Sequence, residues 1–400
     1  MGGRQLNVDD VIQNLAEQLD RSLVLYDTEL NLVAFSAHDD DIDEVRRTVI
    51  LSRRGTARGR EMIHQAGAHR AHGAVVIPPD EKTGAPARVI VPIRRGERLV
   101  GYIAYIHPGT PDDEGADWHR DALDAAAADL KELLHERELS RKRELAHVNE
   151  QLKGVLSGDP ETRAEAAKVL RDTRMIGASE SYTALVLSVG TPEGELSIED
   201  RLVLNDCMAD LLRKSPSKVT GTVLDTHAVA ITPRRVNQER IAEHLGADGL
   251  SRLRAGIGDP RAELADAVES YREALVAARA AALDEATYGP IAKWSDLGLD
   301  RLLVQLPLAS LTRRDLPPPL QRLLAVANGP DLITTLECYL DNACDAQATA
   351  RELMVHRSTV YYRLDRIQKI GEIDLGRGSA RREMHTALRV ATLARLRGTH

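Results

Sequence analysis

Aromatic side chains are scarce in this 400-residue chain, at 3% of residues with a single Phe. Where rings do cluster, the cluster therefore calls for an explanation. Cysteine is nearly as rare. Cys207, Cys338 and Cys344 are too few and too irregularly spaced for a disulfide framework or a zinc site, and they read as reduced, mostly buried small hydrophobes. No run of about 18 uncharged apolar residues occurs. The opening MGGRQLNVDD has no apolar stretch of the secretory kind, so a cytoplasmic protein is expected. The phosphate-cradling G-x-x-x-x-G-K loop, the G-x-S-x-G elbow and the H-E-x-x-H pair are also missing, which leaves an enzymatic role without support and calls for no cofactor.

What is present is the composition of a folded protein, 43% hydrophobic and 28% charged. The length exceeds what one core serves, and at roughly 150 residues per domain it suggests three domains with connectors. The net charge of −8 argues against a protein that coats nucleic acid with its whole surface, but that charge is unevenly spread. Residues 346–400 carry 11 Lys or Arg against 5 Asp or Glu, a net of +6. If the chain meets a polyanion, it does so with its tail.

Near the start, SLVLYD (22–27) and NLVAFS (31–36) read as a hairpin, and ARVIVPI (87–93) with LVGYIAYI (99–106) as a second one turned by RRGER. With helical stretches such as 42–52 between them, the first 110 residues suggest an antiparallel sheet with flanking helices, a pattern similar to GAF or PAS-like sensor domains. From 117 to 155 there is no Pro and only Gly154, while leucines recur at helical spacing. This is one long amphipathic helix or a pair, either a dimerising connector (111–156) or a helix packed on its own domain. Its heptad is broken at Arg137 and Arg141.

Beyond it, YTALVLSV, a helix, VTGTVLD, AVAIT, a second helix, LRAGIG and LADAVESYREALVAARAAAL follow in the order β-α-β-β-α-β-α. That order predicts a ferredoxin-like unit of the nucleotide-cyclase type over 157–310. DLPPPL (315–320) and ANGPD (327–331) read as breaks, making 311–330 a Pro-rich linker with a short helix. The final domain, 331–400, is expected to be all-α. The fold class is thus multidomain α+β.

In that last domain, Leu332, Ile333, Leu336 and Leu340 form one helical stripe; Ala346, Ala350 and Leu353 form a second. MVH (354–356) makes a turn, and Val360, Leu364 and Ile367 form a third stripe at i, i+4 and i+7. This is the spacing of a helix-turn-helix, with Val355 buried in the turn. Met354 stands where Gly often supplies a positive φ, which implies a different local turn geometry. Two of the scarce tyrosines and four arginines fall within 348–367. Opposite the core stripe lie Ser358, Tyr362, Asp365 and Lys369, flanked by Tyr361 and Arg366, all placed to face a major groove. Arg357 and Arg363 are better placed for phosphates, and Thr359 completes the helix's first turn as a DNA-binding candidate.

The stretch LITTLECYLDNACDAQATARELMVHRSTVYYRLDRIQKIGEIDL closely resembles the carboxyl-terminal helix-turn-helix of the PucR/CdaR bacterial transcription regulators. Upstream, LKGVLSGD and AGIGDPRAELADAVESYREALVAARAA are similar to that family's degenerate GGDEF-like middle domain. The resemblance implies control of a metabolic operon. Its expected partners are operator DNA, a second copy of the chain in a dimer or higher oligomer, and an unidentified effector at the amino-terminal domain.

The alternative is a nucleotide-binding or cyclase-like signalling protein that uses the middle domain; a protein-binding adaptor is a third. A cyclase needs a Gly-Gly-acid-acid turn so that metal-bound carboxylates can hold a triphosphate, and here Asp225, Thr226 and His227 stand there instead. His64, His69 and His72 are close enough in sequence to suggest a metal, but nothing fixes them on one face, and a polar loop is the simpler reading. No metal site is expected.

Overall fold

The structure, a computed structural model, describes residues 7–37, 44–53, 55–107, 109, 120–192, 194–215 and 218–397. Parts of several expected segments lie outside these residues: the opening six, the helix starts at 42–43 and 117–119, and the final 398–400. The chain divides into two units, 1–146 and 147–400.

In the first unit, α1 (Val8–Leu19) starts where the Asn7 side chain accepts from the Asp10 N–H at 2.7 Å. There follow β1 (Val24–Tyr26), β2 (Leu32–Phe35), α2 (Glu44–Ser52), α3 (Ala57–Gln65), β3 (Val75–Ile77), β4 (Arg88–Arg95) and β5 (Arg98–Ile106). Both predicted hairpins form. The sheet order is β2-β1-β5-β4-β3, with every pairing antiparallel. Successive side chains point to opposite faces, and both faces are covered. Leu25 and Ile103 pack with Ile12 and Leu15 of α1, whereas Tyr26 and Tyr102 pack with Val49 and Ile77 on the other side.

The connector is one uninterrupted helix, α4 (Arg120–Val155), because neither Pro nor an early Gly breaks it. Leu123, Leu130 and Leu134 are buried in the first unit's core; Leu152 and Val155 belong to the second unit's core. Between them, residues 140–146 are exposed, Leu145 among them.

The second unit opens with α5 (Pro160–Asp172), capped by Asp159 and started by Pro160. It continues through β6 (Thr183–Val189), α6 (Ile198–Lys214), β7 (Thr220–Val223), β8 (Ala228–Thr232), α7 (Gln238–Arg252), β9 (Leu253–Ile257) and α8 (Ala267–Leu283). That is the order expected from the sequence. After α9 (Glu285–Tyr288) comes β10 (Ile291–Lys293), a three-residue edge strand too short to leave a periodic signal, and then α10 (Asp300–Leu303). The sheet runs β10-β9-β6-β8-β7, antiparallel except for the β10–β9 pair. The glycines of AGIG let α8 approach β9: a Cβ on Gly256 would sit 1.9 Å from the Ala274 carbonyl oxygen, and one on Gly258 equally close to that of Ser270. The facing helix answers with small residues, Ala274, Ala277 and Ala278, all fully buried.

The last five helices are α11 (Pro318–Ala325), α12 (Gly329–Asp341), α13 (Ala346–Glu352), α14 (Arg357–Gly371) and α15 (Gly378–Leu393). Here the structure differs from the expected linker. The proline run starts α11 rather than interrupting a helix, since the first turn has no use for the N–H that Pro lacks. Leu316, Leu320 and Leu323 are buried in the same core as Leu336, Val360, Leu364 and Ile367. The segment 311–330 is therefore part of the helical body.

Candidate nucleic-acid interface

α13 begins at Asp345, whose carboxylate accepts from the N–H groups of Gln347 (2.7 Å) and Ala348 (3.1 Å). These hydrogen bonds hold its pKa below the usual carboxylate range. The helix ends in a Schellman motif: the Val355 N–H reaches the Ala350 carbonyl at 3.0 Å, and the Met354 N–H reaches that of Arg351 at 3.2 Å. Met354 has φ 52°, so it adopts the left-handed conformation usual for Gly at this place, and the expectation of a different turn geometry is corrected. Its side chain is 90% exposed, which frees the site from any packing demand. Val355 is partly buried against the core.

α14 starts at His356, whose Nδ1 accepts from the Ser358 N–H at 3.3 Å and lies 2.7 Å from the Ser358 hydroxyl. Val360, Leu364 and Ile367 face inward as their spacing required. The opposite face is exposed, with Tyr361 at 49% and Tyr362 at 61%. Each ring is held by an arginine one turn away. The Arg357 guanidinium donates to the Tyr361 hydroxyl at 2.6 Å and lies 5.1 Å from the ring centre, while that of Arg366 lies 5.9 Å from the Tyr362 ring. Lys369 pairs with Asp365 at 2.7 Å, which offsets the one acidic charge on this surface.

Not every candidate stands free. Arg363 is half-buried, and its Nη1 donates at 3.0 Å to the hydroxyl of Thr335, a fully buried residue of α12. Placed so, it ties α14 to α12. Arg366 is also half-buried and donates to the Asn328 side chain at 3.3 Å. Thr359 is half-buried in the first turn. Sequence reasoning passed over His356, which lacks the usual capping residue's identity, and the exposed Arg377 and Arg382 around the start of α15. The basic run GRGSARR was the signal available for the last two.

The helical body is fastened to the sheet domain by α15. Val390 and Leu393 pack with Ala277, Ala281 and Leu303. Beside them, the Arg389 guanidinium donates to Asp284 at 2.5 Å and to Asp300 at 2.8 Å, and the Tyr288 hydroxyl donates to Asp300 at 2.7 Å. Burial acts to raise the Asp284 pKa, but hydrogen bonds from Thr287 and Arg389 outweigh it and the net shift is downward. Burial and the Asp300 carboxylate push the Tyr288 hydroxyl up to about 12.

Elsewhere, the turn between β7 and β8 is held by His227. His227 is buried, its Nε2 2.9 Å from the Tyr271 hydroxyl and its Nδ1 2.9 Å from the Thr226 hydroxyl. His64 and His69 stack at 4.5 Å, and desolvation, followed by the nearby charges of His64, Arg70 and Arg94, lowers the His69 pKa. Among the described residues, no group of three His, Cys, Asp or Glu side chains is arranged to hold a metal ion. In the first unit, an apolar cavity of about 60 Å³ lies between α3 and the β3–β4 end of the sheet, lined by Met62, Ile63, Ile77 and Ile90, with Arg58 and Asp80 at 3.6 Å beside it. No described helix is long and apolar enough to cross a membrane.

A helix-turn-helix with an exposed basic, aromatic recognition face defines a DNA-binding transcription regulator. Residues 332–390 match the PucR C-terminal helix-turn-helix domain, and residues 157–280 match a GGDEF-like domain. The two matches together bear out the resemblance to the PucR/CdaR regulators. Among solved structures, a regulator of polyketide synthase expression from Bifidobacterium adolescentis is 19% identical, covering 62% of this chain and 97% of its own, with a TM-score of 0.27. That superposition is too loose to transfer anything to this chain. No curated protein matches it.

Proposed function

We propose that the chain is a non-enzymatic cytoplasmic regulator that binds a specific operator as a dimer or higher homo-oligomer, reading bases with α14 and receiving an effector at its amino-terminal domain. The observation that carries the DNA reading is the outward face of α14, where Ser358, Tyr361 and Tyr362 project beside Arg357 from a closed helical core. Serine and arginine hydrogen-bond base edges or phosphates, and a tyrosine ring packs on a thymine methyl. One such helix makes too few base contacts for tight operator binding, which supports oligomerisation. The apolar cavity between α3 and β4 is a candidate place for a small effector among the described residues of the first unit. Against catalysis stands the hairpin of Asp225, Thr226 and His227, whose imidazole is buried and hydrogen-bonded rather than open to a metal.

The test uses genomic fragments that co-purify with the full chain to define an operator, then compares operator with scrambled duplex across a range of salt. Tyr362→Ala and Ser358→Ala are expected to cost roughly 1–3 kcal/mol on the operator and little on scrambled DNA. Arg357→Ala should weaken both alike and lower the salt slope by about 1. Arg363→Ala should act through the fold, lowering the melting temperature before it changes the operator-to-scrambled ratio. If Tyr362→Ala leaves that ratio at the wild-type value, α14 does not read bases in this orientation.

A further inference from the structure

The GGDEF-like domain carries a second feature that neither the DNA-binding proposal nor the hairpin of Asp225, Thr226 and His227 uses. At the far end of β8, where the chain turns into α7, a cleft of about 410 Å³ opens between that turn and the carboxyl-terminal part of α6. Its floor is apolar, made by Leu211 and Ile241 with the half-buried Val236. Its rim holds Arg234, Arg235 and Arg240, three guanidinium groups within seven residues. Among the described residues, Glu243 is the only acidic side chain in the lining.

These three arginines lack a partner among the described residues. Other arginines of the same domain are paired, Arg213 with Asp210, Arg252 with Glu199 and Arg261 with Glu273. None of Arg234, Arg235 and Arg240 has an ion pair or a side-chain hydrogen bond among the described residues. In a chain of net charge −8, three adjacent cations left unpaired repel one another, and an anion in the cleft relieves that repulsion. Planar guanidinium forks suit phosphate oxygens in particular. The cleft also opens at the amino-terminal end of α7, where backbone N–H groups favour negative charge. A cationic rim over an apolar floor asks for a molecule that is anionic at one end and flat or apolar at the other.

We infer that this cleft binds a phosphorylated small molecule of nucleotide size, with its phosphates on Arg234, Arg235 and Arg240 and its base or other apolar body over Leu211, Val236 and Ile241. The site is distinct from the degenerate hairpin, since Ala228 and Thr232 lie at opposite ends of β8, about 14 Å apart at strand rise. The concavity favours a small ligand over the rod of a DNA duplex. A nucleotide bound here would give the middle domain a ligand-sensing role without any catalytic one.

The experiment is isothermal titration of the full chain with GTP, pyrophosphate and inorganic phosphate, at constant ionic strength and without added metal. GTP is expected to bind most tightly, pyrophosphate more weakly and phosphate weakest, because the apolar floor adds to the phosphate contacts only for GTP. Arg235→Ala combined with Arg240→Ala should weaken GTP at least tenfold, with the melting temperature of the ligand-free chain unchanged, since both side chains are exposed. The corresponding double Lys variant should recover part of the affinity. Asp225→Ala at the hairpin should leave GTP binding as it was. The inference is overturned if none of the three probes binds at millimolar concentration. It is equally overturned if GTP binding survives the double Ala variant but is lost with Arg357→Ala, which would place the anion on α14. Loss of duplex affinity in the double Ala variant, with no change in GTP binding, would also overturn it by making the patch a DNA contact.

Discussion

At the scale of the single residue, Met354 shows how a fold can override a local preference. The Schellman motif needs a left-handed residue between Arg351 and Val355, and a non-Gly residue there costs about 1 kcal/mol. The cost is borne because Val355 must turn inward to close the core beside Ala350 and Val360. With the Met354 side chain almost wholly exposed, nothing is lost by deleting it. Met354→Gly is therefore expected to stabilise the chain by about 1 kcal/mol, read as a rise in the urea midpoint of the helical body, with operator binding unchanged. A fall in the midpoint would mean that the side chain has a packing role its exposure does not suggest. The inward positions of α14 were legible from their spacing alone. The attachment of Arg363 was not, because its acceptor, Thr335, lies 28 residues away on another helix.

At the scale of the element, the proline run shows that one composition serves two purposes. Three prolines in sequence exclude a helix interior, yet the same residues suit a helix start, and what decides is whether apolar residues follow at helical spacing. Leu320 and Leu323 do, and together with Leu316 just before the run they are buried against α12 and α14. Removing three buried leucines forfeits about 6 kcal/mol of apolar burial, at roughly 2 kcal/mol each, which is comparable to the whole stability of a small domain. A fragment of residues 311–400 should therefore unfold cooperatively in urea, followed by far-ultraviolet circular dichroism, whereas a fragment of 331–400 should show no cooperative transition. A cooperative transition of equal midpoint in the shorter fragment would show that α11 is dispensable. The close approach of α8 to β9 belongs to this scale too. The glycines and alanines that permit it are visible in the sequence, but which glycine meets which helix is not.

At the scale of the whole molecule, the Arg389 cluster, with the apolar contacts of α15, holds the helical body on the sheet domain. Asp284 has a depressed pKa in the fold, so its contribution is present above the unfolded value of about 3.9 and fades as pH falls through the lower folded value. Tyr288 moves the other way. Its contribution is full below an unfolded pKa of about 10 and is lost as pH rises toward about 12. The contact should thus be constant between about pH 5 and 9. Within that plateau, Arg389→Ala strands two carboxylates that are about nine-tenths buried and is expected to cost about 3 kcal/mol. Melting temperatures of wild type and variant should differ by a constant amount across the plateau and converge below about pH 4. A difference that persists unchanged at pH 3 would assign the loss to packing of the arginine stem.

The sequence by itself determined what depends on neighbours within a few turns: the alternating strands of both hairpins, the order of elements in the middle domain, and the three stripes that make a helix-turn-helix of residues 332–367. Periodicity records which face of an element is buried. It does not record what covers that face. Only the tertiary structure decided that α11 completes the helical core, that Arg363 serves Thr335, and that Arg389 reaches Asp300 and Asp284, 89 and 105 residues back along the chain. It likewise separated the paired arginines of the GGDEF-like domain from the three left open at its cleft. An ion pair is set by a distance of a few ångströms between side chains far apart in sequence, and charge patterning along the chain carries no measure of that distance.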